Sequence, residues 1–133
     1  MSNEARVVLF EFIKAMNYWE LTYYPLIKGG GMFSIKDEMR KELDKIFNNF
    51  CTGRERKQGR QVSLSCSEPP TYSPDEEVVN EEEFKNKVII DTQQHLGFKE
   101  KYRYTLHFKN GRWLIDKKER FSDYENKWIK DIL

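Results

Sequence analysis

Tyr102, Tyr104, Leu106 and Phe108 alternate with Arg103, Thr105, His107 and Lys109, and beyond Asn110-Gly111 the alternation resumes with Trp113 and Ile115. A period of two marks a half-buried strand. Asn-Gly supplies the two positive-φ positions of a two-residue type I′ turn. The segment from Phe98 to Arg120 therefore predicts a β-hairpin in which Phe108 opposes Trp113, Leu106 opposes Ile115, Tyr104 opposes Lys117 and Tyr102 opposes Glu119. The other face then carries Arg103, Thr105, His107, Lys109, Arg112, Leu114, Asp116 and Lys118, so register alone separates the apolar residues from the charged ones.

Upstream, Asn3 precedes a run in which Val8, Phe12, Ala15, Trp19, Tyr23 and Leu26 recur at three- and four-residue steps, the period of one helix face. Pro25 predicts a kink or stop near Tyr24, and Gly29-Gly30-Gly31 a break. Ser34 with Asp37 and Glu38 reads as a capping box for a second helix, whose face holds Ile35, Met39, Leu43, Ile46, Phe47 and Phe50. A loop over Thr52 to Arg60 leads to a first strand over Gln61 to Ser67, where Val62, Leu64 and Cys66 alternate. Pro69, Pro70 and Pro74 prevent regular pairing up to Asp75.

Phe84 to Gln94 predicts the next strand, joined to the hairpin through His95-Leu96-Gly97 with Gly97 left-handed. Pairing Gln94 with Phe98 sets Ile90 against Tyr102 and Val88 against Tyr104. At the C-terminus, Ser122 with Glu125 and the spacing of Tyr124, Trp128 and Ile132 predict a short last helix. The expected architecture is a single α+β domain over residues 1–133. Its N-terminal helices cover the apolar face of a curved antiparallel sheet of about four strands, shaped as a half-open cone.

Composition adds core volume and removes bulk charge. Hydrophobic residues make up 38% and charged residues 34% of 133, but aromatics reach 14% and supply bulk that the aliphatics do not. Lys plus Arg number 23 against 22 Asp plus Glu, so the net charge of +1 gives no general attraction to nucleic acid or to an anionic membrane. Cys51 and Cys66 have no metal-ligand spacing and are expected to be reduced. Glu11 and Lys14 interrupt the first apolar stretch and defeat a signal peptide, and no apolar run reaches ~18 residues. A cytoplasmic protein is expected.

Candidate chemistry is sparse. His95 falls in a turn and His107 on the charged face. The inward face offers Tyr102, Tyr104, Asn86, Lys117 and Glu119, with Glu119 its one carboxylate, so no catalytic residue, cofactor site or metal site is expected. Gly29-Gly30-Gly31 lacks the strand and the Lys-Ser or Lys-Thr of a phosphate loop. Arg54, Arg56, Lys57 and Arg60 lack interleaved aromatics, which argues against nucleic acid as a partner. Tyr18, Trp19, Tyr23 and Tyr24 read as core or pocket lining. By contrast, Asp75, Glu76, Glu77, Glu81, Glu82 and Glu83 place six carboxylates in nine residues of a nearly neutral chain. Read as exposed, this window is the candidate docking patch for a cationic partner.

The order of elements, with Asp91 to Gln94 (DTQQ), Gly97 to Leu106 (GFKEKYRYTL), Gly111 to Glu119 (GRWLIDKKE) and the ending KWIKDIL, resembles the immunity proteins with a nuclear-transport-factor-2-like fold that accompany Rhs and related polymorphic toxins. The likeness runs from the first helix to the last residue and is most specific in the closing hairpin. It implies a small bacterial protein that binds the toxic domain of a cognate effector and blocks it without chemistry. It carries over no catalytic residue and no binding residue. The alternative within the same superfold is a small-ligand carrier or an isomerase- or dehydratase-like enzyme, against which the missing inward acid-base pair speaks.

Overall fold

In a computed structural model, which describes residues 2–30, 32–53, 64, 66, 70–95 and 99–133, two helices lie against one face of a five-stranded sheet. The elements are α1 (Ser2–Lys28), α2 (Met32–Phe50), β1 (Glu77–Glu83), β2 (Lys87–Gln93), β3 (Lys101–Lys109), β4 (Arg112–Ser122) and β5 (Lys127–Asp131). The strands run in chain order across the sheet, each antiparallel to the next. This is the expected α+β arrangement of helices on an antiparallel sheet.

α1 buries Leu9, Phe12, Ile13, Met16, Trp19 and Tyr23, a stripe shifted from the expected one, since Val8 and Ala15 are half-buried and Leu26 is exposed. It runs through Pro25 without stopping. The proline lies in the last turn, where a lost N–H and a ring clash disrupt little that follows. The Gly29 N–H donates to the Pro25 carbonyl at 3.0 Å, and Gly30 at φ +86° ends the helix. α2 begins at Met32, so Ser34 lies inside the helix rather than capping it. The helices meet through the Trp19 indole, which donates to the Met39 carbonyl at 3.1 Å, and through Phe12 edge-on to Phe47 at 5.8 Å.

The β3–β4 hairpin turns at Asn110 (φ 52°) and Gly111 (φ 82°), as the Asn-Gly pair requires. Phe108 opposes Trp113 and Leu106 opposes Ile115, as expected. Beyond them the register shifts by one residue at Asp116, so that Thr105 pairs with Lys117, Tyr104 with Lys118 and Tyr102 with Arg120. The expected partners Lys117 for Tyr104 and Glu119 for Tyr102 are thereby corrected. The cause lies outside the hairpin. Leaving α2, Cys51 bridges Ile115, the Thr52 N–H donates to the Ile115 carbonyl at 2.9 Å, and the Thr52 hydroxyl donates to Asp116 Oδ1 at 2.8 Å. These contacts hold the extra residue as a β-bulge.

Three further expectations change. The β2–β3 register is offset by two residues, pairing Ile90 with Tyr104 and Val88 with Leu106. The connection is longer than three residues, and the Gln94 N–H reaches the Glu100 carbonyl at 2.9 Å. An even shift keeps the apolar face intact. The C-terminal segment is a strand, not a helix. Ser122 Oγ does accept the Glu125 N–H at 3.1 Å, but within a hairpin turn, after which Trp128 stacks edge-on to Phe121 at 5.4 Å. Of the strand expected over Gln61 to Ser67 only Leu64 and Cys66 are described, neither in a strand and both packed against the core. Gly97 and the basic stretch Arg54 to Arg60 lie outside the described residues.

Candidate functional site

The acidic window forms a turn and an edge strand rather than a loop. Asp75 is exposed, and the backbone bonds of Ser73 to Glu76 and of Asp75 to Ser73 Oγ shape the turn before β1. A bulge at Val79 then divides the carboxylates. Glu77 and Glu82 are exposed on the outer face, where Glu82 opposes Ile89. Glu81 opposes Ile90 on the inner face and pairs with Arg6 of α1, while Glu83 opposes Val88.

Glu76 corrects the expectation of a uniformly exposed patch, because it is 4% exposed. It accepts the Thr92 hydroxyl at 2.7 Å and the Gln94 amide at 3.3 Å. Burial pushes its pKa above the ordinary carboxylate value, opposed by the Thr92 bond, by the nearby Lys118 ammonium and by Gln94. An alternation that keeps Glu76 in phase with Val78, inward at the strand entry, accounts for its burial.

Lys118 was expected among the outward charges and lies inside, 2% exposed. The bulge at Asp116 turns it inward, where its ammonium sits 3.9 Å from the Tyr102 ring centre, 4.4 Å from that of Tyr72 and 4.0 Å from Asp131. Burial pushes the pKa of Tyr104 far upward, and its hydroxyl has no hydrogen-bond partner among the described residues. Glu119, expected inward, pairs with Arg103 in register on the outer face. Arg103 there binds Asp91 through two bonds of 2.8 and 3.0 Å and packs over Trp128 at 4.1 Å. The interior thus holds an acid and a base that unbulged pairing does not bring together.

Glu20, fully buried in α1, was missed. Its two oxygens accept the backbone N–H groups of Thr71 and Tyr72 at 3.1 Å each, and Asn17 donates to the Tyr72 carbonyl at 2.8 Å. This clamp seats Tyr72 under Lys118 and against Phe12, and so delivers the chain to β1. The signal was present, since Glu20 stands four residues after Met16 and three before Tyr23 on the buried stripe. Of the aromatic cluster, Trp19 and Tyr23 are core and Tyr18 is exposed. Burial and a bond to Glu38 at 2.8 Å push the Tyr23 phenol up to about 12.

At the far end of β1 an open groove of about 450 Å³ lies among the start of α1, the β1–β2 turn and the tip of the β3–β4 hairpin. Phe84, Val88, Phe108 and Trp113 give it apolar walls, and Glu4, Glu83, Lys85 and Asn86 complete its lining. Phe84 is 49% and Phe108 38% exposed, so the hairpin tip expected in the core is instead a rim.

The family of NTF2 fold immunity proteins matches the chain over residues 4–132. The chain is also similar to Immunity protein RhsIA of Dickeya dadantii (strain 3937), with 60% identity over 128 residues covering 96% of this chain and 95% of that protein. No solved structure matches.

Proposed function

The chain belongs to the NTF2-fold immunity proteins, and from that premise we propose that it binds the toxic domain of a cognate bacterial polymorphic toxin, of the Rhs or contact-dependent kind, and neutralises it by stoichiometric blocking. The observation that carries this reading is the 60% identity with Immunity protein RhsIA across nearly the whole of both chains. The reading places the protein in the cytoplasm, where an incoming toxin acts. No helix among the described residues is long and apolar enough to cross a membrane.

Blocking needs no chemistry from this chain. A ligand carrier or isomerase-like enzyme would work from the cone interior, where Glu76 is bonded to Thr92 and Gln94 and Lys118 is packed among tyrosine rings. Groups engaged in this way serve the fold. The toxin instead meets the acidic turn and strand through Asp75, Glu77, Glu81, Glu82 and Glu83, with Glu76 anchoring them from inside. Such a field suits a basic surface like the substrate groove of a nuclease, and complementary charge accelerates encounter.

The test is co-expression with the toxic domain encoded by the reading frame that precedes this one. Growth should be restored and a complex of fixed stoichiometry isolated. Changing Asp75, Glu77 and Glu82 to Lys should slow association and flatten its salt dependence while the melting temperature holds. Absence of protection would overturn the toxin-neutralising reading, and parental association rates at every salt concentration would remove the acidic strand from the interface.

A further inference from the structure

α1 turns one apolar face to the core and carries a second, smaller one on its opposite side. Exposed residues recur there at three- and four-residue steps, as Glu11, Lys14, Tyr18, Leu21, Pro25 and Lys28, the spacing of a seam between two packed helices. Tyr18 is 73% and Leu21 53% exposed at the middle of this seam, whereas Trp19 and Tyr23 beside them are buried. Among the described residues none of Glu11, Lys14 and Lys28 forms an ion pair. Read along the helix, the seam has an anion at one end, apolar residues at its centre and a cation at the other end.

We infer that this seam is the contact between two copies of the chain, which pair α1 against α1 antiparallel about a two-fold axis passing between Trp19 and Glu20. The pattern is its own complement when reversed. With that axis Tyr18 of each copy lies against Leu21 of the other, Lys14 against Pro25, and Glu11 against Lys28, so an apolar centre is closed at both ends by an opposite-charge pair. Lys14 lays its methylene stem on Pro25 and leads its ammonium to solvent. A parallel pairing would set Glu11 on Glu11 and Lys28 on Lys28, and an antiparallel one displaced toward the N-terminus by one or two heptads would set Leu21 on Glu11 or on Glu4. The seam holds one carboxylate and two ammonium groups, so it recruits neither a strongly basic nor a strongly acidic surface, and what it complements is itself. Two helices in contact over residues 11–28 run about 26 Å side by side, which suits a reversible dimer rather than a permanent one. The contact uses no residue of β1, so it is independent of the toxin-neutralising reading.

The test is sedimentation velocity of the full chain from micromolar to millimolar concentration, which should show a reversible equilibrium of monomer and dimer. Tyr18→Lys or Leu21→Lys should weaken dimerisation roughly tenfold at an unchanged melting temperature in dilute solution, because both side chains are exposed in the monomer. Glu11→Lys and Lys28→Glu should each weaken it several-fold by setting like charges opposite at both ends, and the two together should restore it. A chain that stays monomeric at every concentration, a dimer indifferent to the Tyr18 and Leu21 changes, or a double charge reversal no stronger than either single one would each overturn the inference. A monomeric chain whose Tyr18→Lys variant loses protection against the toxic domain would overturn it in favour of the toxin as the occupant of the seam.

Discussion

Lys118 sets its ammonium 3.9 Å from the centre of the Tyr102 ring, on a face that an unbulged β3–β4 pairing would deny it. The charge is stabilised by three tyrosine faces and by the carboxylates of Glu76 and Asp131. A charge this deeply buried is tolerated only when such partners replace its hydration.

Lys118→Met should therefore destabilise the fold by about 3 kcal/mol, because Glu76 is left buried without its countercharge. Adding Glu76→Gln should recover part of that loss. Urea unfolding of the two single variants and the double variant measures the coupling. Parental stability in Lys118→Met would show that the interior charge is not held by these groups.

The stability of the protein should carry the imprint of Glu76 between its unfolded pKa, near 4.5, and its raised folded value. A group that binds its proton more tightly when folded adds stability below the unfolded pKa and loses it as pH rises through the folded one. Glu76→Gln removes the titration, so the variant should gain on the parent steadily as pH rises through that window and no further above it. Unfolding free energies measured across pH for both proteins give the difference directly. A difference that shrank with rising pH would place the carboxyl's pKa below its ordinary value.

Core and rim should separate cleanly on truncation. Phe12 is fully buried, with rings of Phe47, Phe50 and Tyr72 edge-on to it, and Phe12→Ala should cost about 3–5 kcal/mol. Trp113, half-buried in the groove wall, should cost less than about 3 kcal/mol when replaced by Ala. Equal losses in the two variants would return the hairpin tip to the core.

What the chain discloses by pattern is local. Two helices, an Asn-Gly turn and the pairing of Phe108 with Trp113 follow from periodicity and turn chemistry, because those preferences act over a few residues. What it withholds depends on distant contacts. The Asp116 bulge is held by Thr52, 64 positions away, and the burial of Glu76 depends on Thr92 and Gln94 across the strand pair. The Ser122 and Glu125 pattern shows the same limit from the other side. Its hydrogen bond forms as a helix cap would, yet pairing of β5 with β4 turns it into a hairpin. The acidic window was legible as charge but not as geometry, since composition cannot tell an inward carboxylate from an outward one when a bulge lies between them.

Holding Asp116 out of the ladder also decides which face of the sheet every later residue of β4 takes. Pairing Asp116 into the ladder opposite Thr105, instead of leaving it as the bulge, would change no residue of the chain, yet it would invert the remaining half of β4. Lys117 and Glu119 would then enter the tyrosine-lined interior, and Lys118 would be expelled to solvent. The Phe121 and Trp128 pair would be carried to the opposite side with the last hairpin. A one-residue slip of pairing here is therefore an exchange of the two faces of the sheet, which makes the Thr52 contacts that hold the bulge, and not the length of any loop, what keeps Lys118 inside.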